Sequence, residues 1–276
     1  MNPATLMVHV DDGKAAAARI RLACDLAERF GAVLIGIAGA VPEPPLADPF
    51  AAGAMVGELA MLERERAEDL LKNAKALFDS VSGTTALTTE WRSAIAYPSD
   101  LIARQARAAD LIIVGRDTGT SAPNHSVSAG DVLMKTGRPV LIVPPQAETP
   151  AADNVLIAWK DGREAQRAVV DALPFLRLAQ KTSILAIHEP GEAEPAENAV
   201  KDVAGFLARH GVPSQTFVQP TTPYADGSQI LAFAHQQGAD LVVMGGYGHA
   251  RLREWVFGGV THDVLADSTI CCLLSH

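Results

Sequence analysis

The chain has 276 residues, 48% apolar and 20% charged, a length that suits two domains of about 150 residues and a composition that excludes a disordered chain. Its 32 acidic and 23 basic residues leave a net charge of −9, and without a basic stripe no nucleic-acid partner is expected. Cys24 and the adjacent Cys271 and Cys272 make neither a disulfide framework nor a zinc knuckle; no window approaches the roughly 20 apolar residues of a membrane span, and MNPATLMVHVDDGK has no signal-peptide pattern, so a cytoplasmic protein with no membrane partner is expected.

In chain order, the stretch from Leu6 predicts strand, loop, amphipathic helix and strand, with Ile20, Ala23, Ala27 and Phe30 on one helical face and Gly31 as the stop signal. Ala40 to Gly57 is rich in proline and glycine and predicts a long excursion into a helix carrying Leu59, Leu62, Ala67 and Leu70. A further helix then leads through Asp110 to the apolar run Leu111–Val114, which suits a strand buried on both faces. PPQAETPAAD, from Pro144, reads as a linker.

The same order then recurs. Val155 onward repeats the opening unit, Gln229 onward repeats the helix, acid and apolar run, and His262 onward repeats the segment from Gly130. Asp12 and Asp161 lie 149 residues apart but Asp110 and Asp240 only 130, which places 19 extra residues in the first copy. Strands alternating with helices predict the α/β class: two doubly wound domains, residues 1–145 and 153–276, each a parallel sheet flanked by helices. The strands Pro139 to Val143 and Ile270 to Leu274 end apolar, and their pairing would join the domains as an intramolecular pseudo-dimer, with a homodimer as the other way to cover those edges.

The richest stretch is MGGYGHARLREWVFGGVTHDVL, from Met244, where a buried strand runs into Gly245, two residues, Gly248, nine residues and Gly258, before a helix expected near Val260. Glycines let backbone approach a ligand, and a helix N-terminus offers free N–H groups to phosphate; turn glycines alone would read the same way. His249, Arg251 and Arg253 lie in this loop, where they either offset phosphate charge or form a solvated face, and His262 flanks it.

This pattern, in its strand and helix context, resembles the universal stress proteins, and the repeat resembles a tandem form with two such domains. That family carries G-x2-G-x9-G followed by Ser or Thr; here Gly259 stands in the hydroxyl position. The resemblance implies five parallel strands per domain, a role in stress response and an adenine nucleotide ligand (ATP, ADP or AMP), with Mg2+ only alongside ATP. It would place phosphate and ribose contacts on the backbone of Gly245, Gly248, Gly258, Gly259 and Val260, with Met244 near the base. Lys160 falls where the family usually has an Asp near the adenosine, and Asp161 is displaced by one. Lys160 either meets phosphate or is a solvated loop charge; Trp159 either stacks on a base or fills the core.

The first copy differs. Asp11 occupies the Asp position, but the loop from Gly115 runs through Gly119 to Gly130 with altered spacing and ends at Asp131, either a helix cap or an anion opposing phosphate. His9 and His188 read as packed or hydrogen-bonded. No HExxH, GxSxG or GxxxxGK[ST] occurs, which removes the main support for zinc protease, serine hydrolase and P-loop readings. The expectation is a regulatory nucleotide binder rather than an enzyme. A scaffold with decayed sites and a slow ATP hydrolase are the alternatives.

Overall fold

The computed structural model describes residues 2–43, 53–116, 126–147, 152–223, 226–247 and 259–276. Two compact units divide the chain, one of Ala4–Thr136 and one of Met1–Pro3 with Gly137–His276.

The N-terminal unit runs β1 (Thr5–His9), α1 (Ala16–Phe30), β2 (Val33–Ala40), α2 (Gly53–Ser82), β3 (Thr89–Ile95), α3 (Pro98–Gln105) and β4 (Leu111–Gly115), ending in α4 (Ala129–Thr136). Its strands pair in parallel in the order β3-β2-β1-β4. Leu6, Met7, Val8 and Leu111 to Val114 are all at most 1% exposed, because helices cover both faces of such a sheet. Helix α1 buries Ile20, Ala23, Ala27 and Phe30 and stops where Gly31 takes φ 67°, a left-handed C-cap that glycine adopts without strain. In α2 Ala67 is buried, whereas Leu62 is exposed. The segment 44–52, within the expected excursion, lies outside the described residues.

The C-terminal unit contains β5 (Val140–Val143), β6 (Asn154–Trp159), α5 (Arg163–Leu176), β7 (Lys181–His188), α6 (Ala193–Arg209), β8 (Gln215–Pro220), α7 (Asp226–Gln237), β9 (Leu241–Gly245), α8 (Gly259–Asp267) and β10 (Cys271–Ser275). Its strand order is β5-β10-β9-β6-β7-β8. All of these pairs are parallel except β5 with β10, which run antiparallel in the register Ile142 to Cys272, Leu141 to Leu273 and Val140 to Leu274. Among the described residues each copy thus supplies five strands, and β5, which the repeat assigns to the first copy, groups with the second unit.

The acid before the fourth strand has the same task in both copies. Asp110 Oδ2 accepts the backbone N–H groups of Ala4 and Thr5 at 2.8 and 3.1 Å. Asp240 accepts those of Ala152, Asp153 and Asn154 at 3.1, 2.9 and 3.0 Å. Each carboxylate accepts backbone amides at the start of the central strand of its unit.

Candidate functional site

Open parallel sheets form a crevice at the carboxyl ends of two adjacent strands whose connections leave in opposite directions, and ligands bind there. In the C-terminal unit these strands are β6 and β9, paired through Ala158 and Met244. The next residues on each, Trp159 with Lys160 and Gly245 with Gly246, therefore share one end of the sheet.

Trp159 is 8% exposed and its indole Nε1 donates to Asp161 Oδ1 at 3.0 Å. That bond also gives Asp161 a local structural partner. Lys160 is exposed, and Met244 is buried at the end of β9. Gly245 lies against the first turn of α5: a Cβ there would stand 2.6 Å from Ala165 N and 3.0 Å from Glu164 Cβ. Helix packing alone therefore requires this glycine. Gly246 is held on both sides, its N–H donating to Ser275 O at 2.9 Å and its carbonyl facing His276 Nδ1 at 3.1 Å. Tyr247 follows with φ 57°, a left-handed turn on a non-glycine residue. Gly246 and His276 carry no motif of their own; only the repeated end of β9 beside β10 could have pointed to them.

Gly259 and Val260 open helix α8, which leads into β10 beside β9. Gly259 is exposed, and among the described residues nothing stands within 4 Å of a Cβ built there. Val260 is half-buried, and its carbonyl abuts Gly227 of α7. Gly248, His249, Arg251, Arg253 and Gly258 lie outside the described residues.

The matching crevice of the N-terminal unit lies between the ends of β1 and β4, and a side chain fills part of it. Arg19, only 3% exposed, reaches from α1 to donate from Nε to the His9 carbonyl at 2.9 Å and from Nη2 to Asp11 Oδ2 at 2.7 Å. Asp11 Oδ1 accepts the Gly13 N–H at 2.9 Å. A Cβ at Gly115, the last residue of β4, would collide with Arg19 Nη1. Burial pushes the His9 imidazole down to about 4, helped by the Arg19 charge and opposed by Asp11. Burial would raise the Asp11 carboxyl, but Arg19, His9 and the Gly13 N–H outweigh it and hold the group below its usual range. Asp131 is not the cap of α4: its N–H donates to Ser128 Oγ at 3.2 Å, and its own carboxyl sits in the first turn. His188 Nδ1 lies 2.8 Å from the Glu189 carbonyl, outside either crevice.

Residues 151–276 match the sequence profile of the Universal stress protein family. The fold is similar to that of a universal stress protein from Archaeoglobus fulgidus DSM 4304, with a TM-score of 0.71 at 15% identity over 98% of this chain and 97% of that one. It is also similar to a functionally unknown protein from Pseudomonas aeruginosa PAO1, with a TM-score of 0.60 at 16% identity over 99% of this chain and 92% of that one. At these identities the likeness establishes a shared fold, and function rests on the site. No curated protein matches the sequence. Among the described residues, no helix is long and apolar enough to cross a membrane, and no group of three or more His, Cys, Asp or Glu side chains could hold a metal ion.

Proposed function

We propose that this chain is a cytoplasmic stress-response protein whose C-terminal copy, residues 153–276, binds an adenine nucleotide at the carboxyl ends of β6 and β9 and acts by regulation rather than by turnover. The observation that carries the reading is the exposed Gly259 at the start of α8, with no described residue within 4 Å of a Cβ built on it, following β9 in the sequence after glycines at the spacing of the motif. Free N–H groups and the positive end of the helix dipole suit phosphate there. Met244, Gly245, Gly248, Gly258, Gly259 and Val260 are its backbone and base contacts, with Lys160 and His249 as candidate charge partners. The Nε1 bond to Asp161 and the burial of Trp159 favour a wall over a stacking platform for that indole.

Phosphate cleavage would require a positioned water with a base or a metal carboxylate, and the sequence of the loop offers Glu254 as its sole acid. Mg2+ would enter only with ATP, held by its phosphates. The substitution of glycine for the hydroxyl at Gly259 favours the second reading, a scaffold with decayed sites.

Titration calorimetry with ATP and AMP on wild type, Gly248→Asp and Gly119→Asp tests the proposal. The expected stoichiometry is about one, lost in Gly248→Asp and kept in Gly119→Asp. Absence of heat from every protein would favour the scaffold. ATP turnover at or above ~1 per second, abolished by Gly248→Asp, would favour the hydrolase.

A further inference from the structure

At the offset that aligns the copies, His9, Asp11 and Arg19 correspond to Ala158, Lys160 and Ala168. The three positions change together. In the N-terminal unit an acid, its cation and a histidine close on one another. In the C-terminal unit two positions are alanine and the third is an exposed lysine that forms no ion pair among the described residues.

The geometry gives this exchange a consequence. Arg19 contacts the last residue of β1, the loop after it and the last residue of β4, which are the three walls of the crevice where a ligand of this fold would enter. Its guanidinium is nearly fully buried, a placement that is costly unless the charge is paired and hydrogen-bonded. Asp11 supplies the pairing, and both of its oxygens are engaged, one by Arg19 and one by Gly13 N–H. At the corresponding place in the C-terminal unit Ala168 is a buried methyl group, and Gly245 closes directly on the backbone of α5.

We propose that Arg19 determines which of the two crevices takes a ligand: its guanidinium fills the crevice of the N-terminal unit and occupies Asp11, closing that unit to the nucleoside that its carboxylate would otherwise bind. The ligand class rests on the nucleotide reading of the C-terminal copy; the closure itself does not. With Arg19 shortened, Asp11 faces vacated space as an acceptor for ribose hydroxyl or adenine amino hydrogens. The opened crevice prefers adenosine to AMP, because Asp11 and the Asp131 carboxyl in the first turn of α4 both repel a phosphate.

The experiment uses the full chain carrying Gly248→Asp, which removes the proposed C-terminal site, alone and combined with Arg19→Ala or Arg19→Gln. Glutamine keeps part of the stem and one donor, should alanine prevent folding; circular dichroism and a melting curve establish the folded state. Each protein is titrated with adenosine and with AMP. The Gly248→Asp chain is expected to bind neither, and both Arg19 variants to gain one adenosine per chain, with affinity about tenfold or more above the parent and above AMP. Folded Arg19 variants that gain nothing would overturn the proposal. So would a Gly248→Asp chain that binds adenosine with Arg19 intact and loses it on Asp11→Ala. Because the gain is read without the C-terminal site, a wild type that binds no nucleotide sinks the proposed function and leaves this result standing.

Discussion

Gly245 and Ala165 are so close that a single carbon has no room between them: a Cβ on Gly245 would stand 2.6 Å from Ala165 N and 2.7 Å from the Glu164 carbonyl carbon. The obstacle is backbone at a helix start, which cannot rotate aside. Gly245→Ala is therefore expected to destabilise the fold by about 1–3 kcal/mol, whether or not a ligand is present. Gly259→Ala, where no described residue stands within 4 Å, is expected to change stability by less than about 0.5 kcal/mol. Urea midpoints for the two variants check this; equal losses would refute it.

The exposure of Gly259 makes the missing hydroxyl restorable. Gly259→Ser places an oxygen at the first residue of α8, and one charge-assisted bond to phosphate contributes about 1.5 kcal/mol. AMP affinity is expected to rise by roughly tenfold. Unchanged or weaker AMP binding by a folded Gly259→Ser chain would mean that phosphate does not lie beside α8.

Asp240 ties down the start of β6 through three amides and holds Ala152 at φ 99°. Removing the carboxylate in Asp240→Ala leaves those donors without it and is expected to cost about 2 kcal/mol. Asp110→Ala, which releases two donors in a more exposed setting, is expected to cost less. Chemical denaturation of the pair gives the order directly.

His9 sets a pH dependence. Its imidazole falls from 6.5 to about 4 on folding, chiefly by burial and then by the Arg19 charge, so the unfolded chain holds a proton in that window that the fold does not. Stability is then full above pH 6.5 and declines as pH falls toward 4, by on the order of 3 kcal/mol at the limit. Asp11, whose folded carboxyl lies below 3.8, adds stability above that value that is lost only in stronger acid. His9→Ala is expected to lose less stability than wild type between pH 7 and pH 4.5, an interval over which roughly three quarters of the effect develops. Parallel losses in the two proteins would show that His9 carries no share.

The pairing of β5 with β10 bears on the expected pseudo-dimer. A chain of residues 152–276 lacks β5 and leaves the apolar β10 edge, Cys271 to Ser275, uncovered. Such an edge pairs with another strand, and the piece is expected to dimerise. A charged Leu273→Lys substitution at that edge should return it to monomer in sedimentation. A monomeric parent piece would indicate that the edge needs no partner.

Much of the fold was legible because its cause is local. The 3.6-residue period of Ile20, Ala23, Ala27 and Phe30 marks a buried helical face, and Gly31 ends it because the left-handed cap favours glycine. The unbroken run Leu111–Val114 marks a strand covered on both faces. On α2 the period alone does not tell a buried position from an exposed one: Ala67 is buried and Leu62 is exposed. The site was legible only in part. Its glycine spacing is a sequence property, but Gly245 has a packing role that spacing cannot distinguish from ligand contact.

By itself, the sequence determined the two copies, their strand and helix order, and the unequal loops, because periodicity, glycine placement and repeat offset are carried by neighbours along the chain. Only the tertiary structure decided that Asp110 and Asp240 clasp the starts of the central strands, that β5 runs antiparallel to β10, and that Arg19 lies across the ends of β1 and β4. Those relations join residues distant in the chain or on separate elements. Their energies come from burying a charge or amide beside its partner, and that burial exists only once the sheet has assembled.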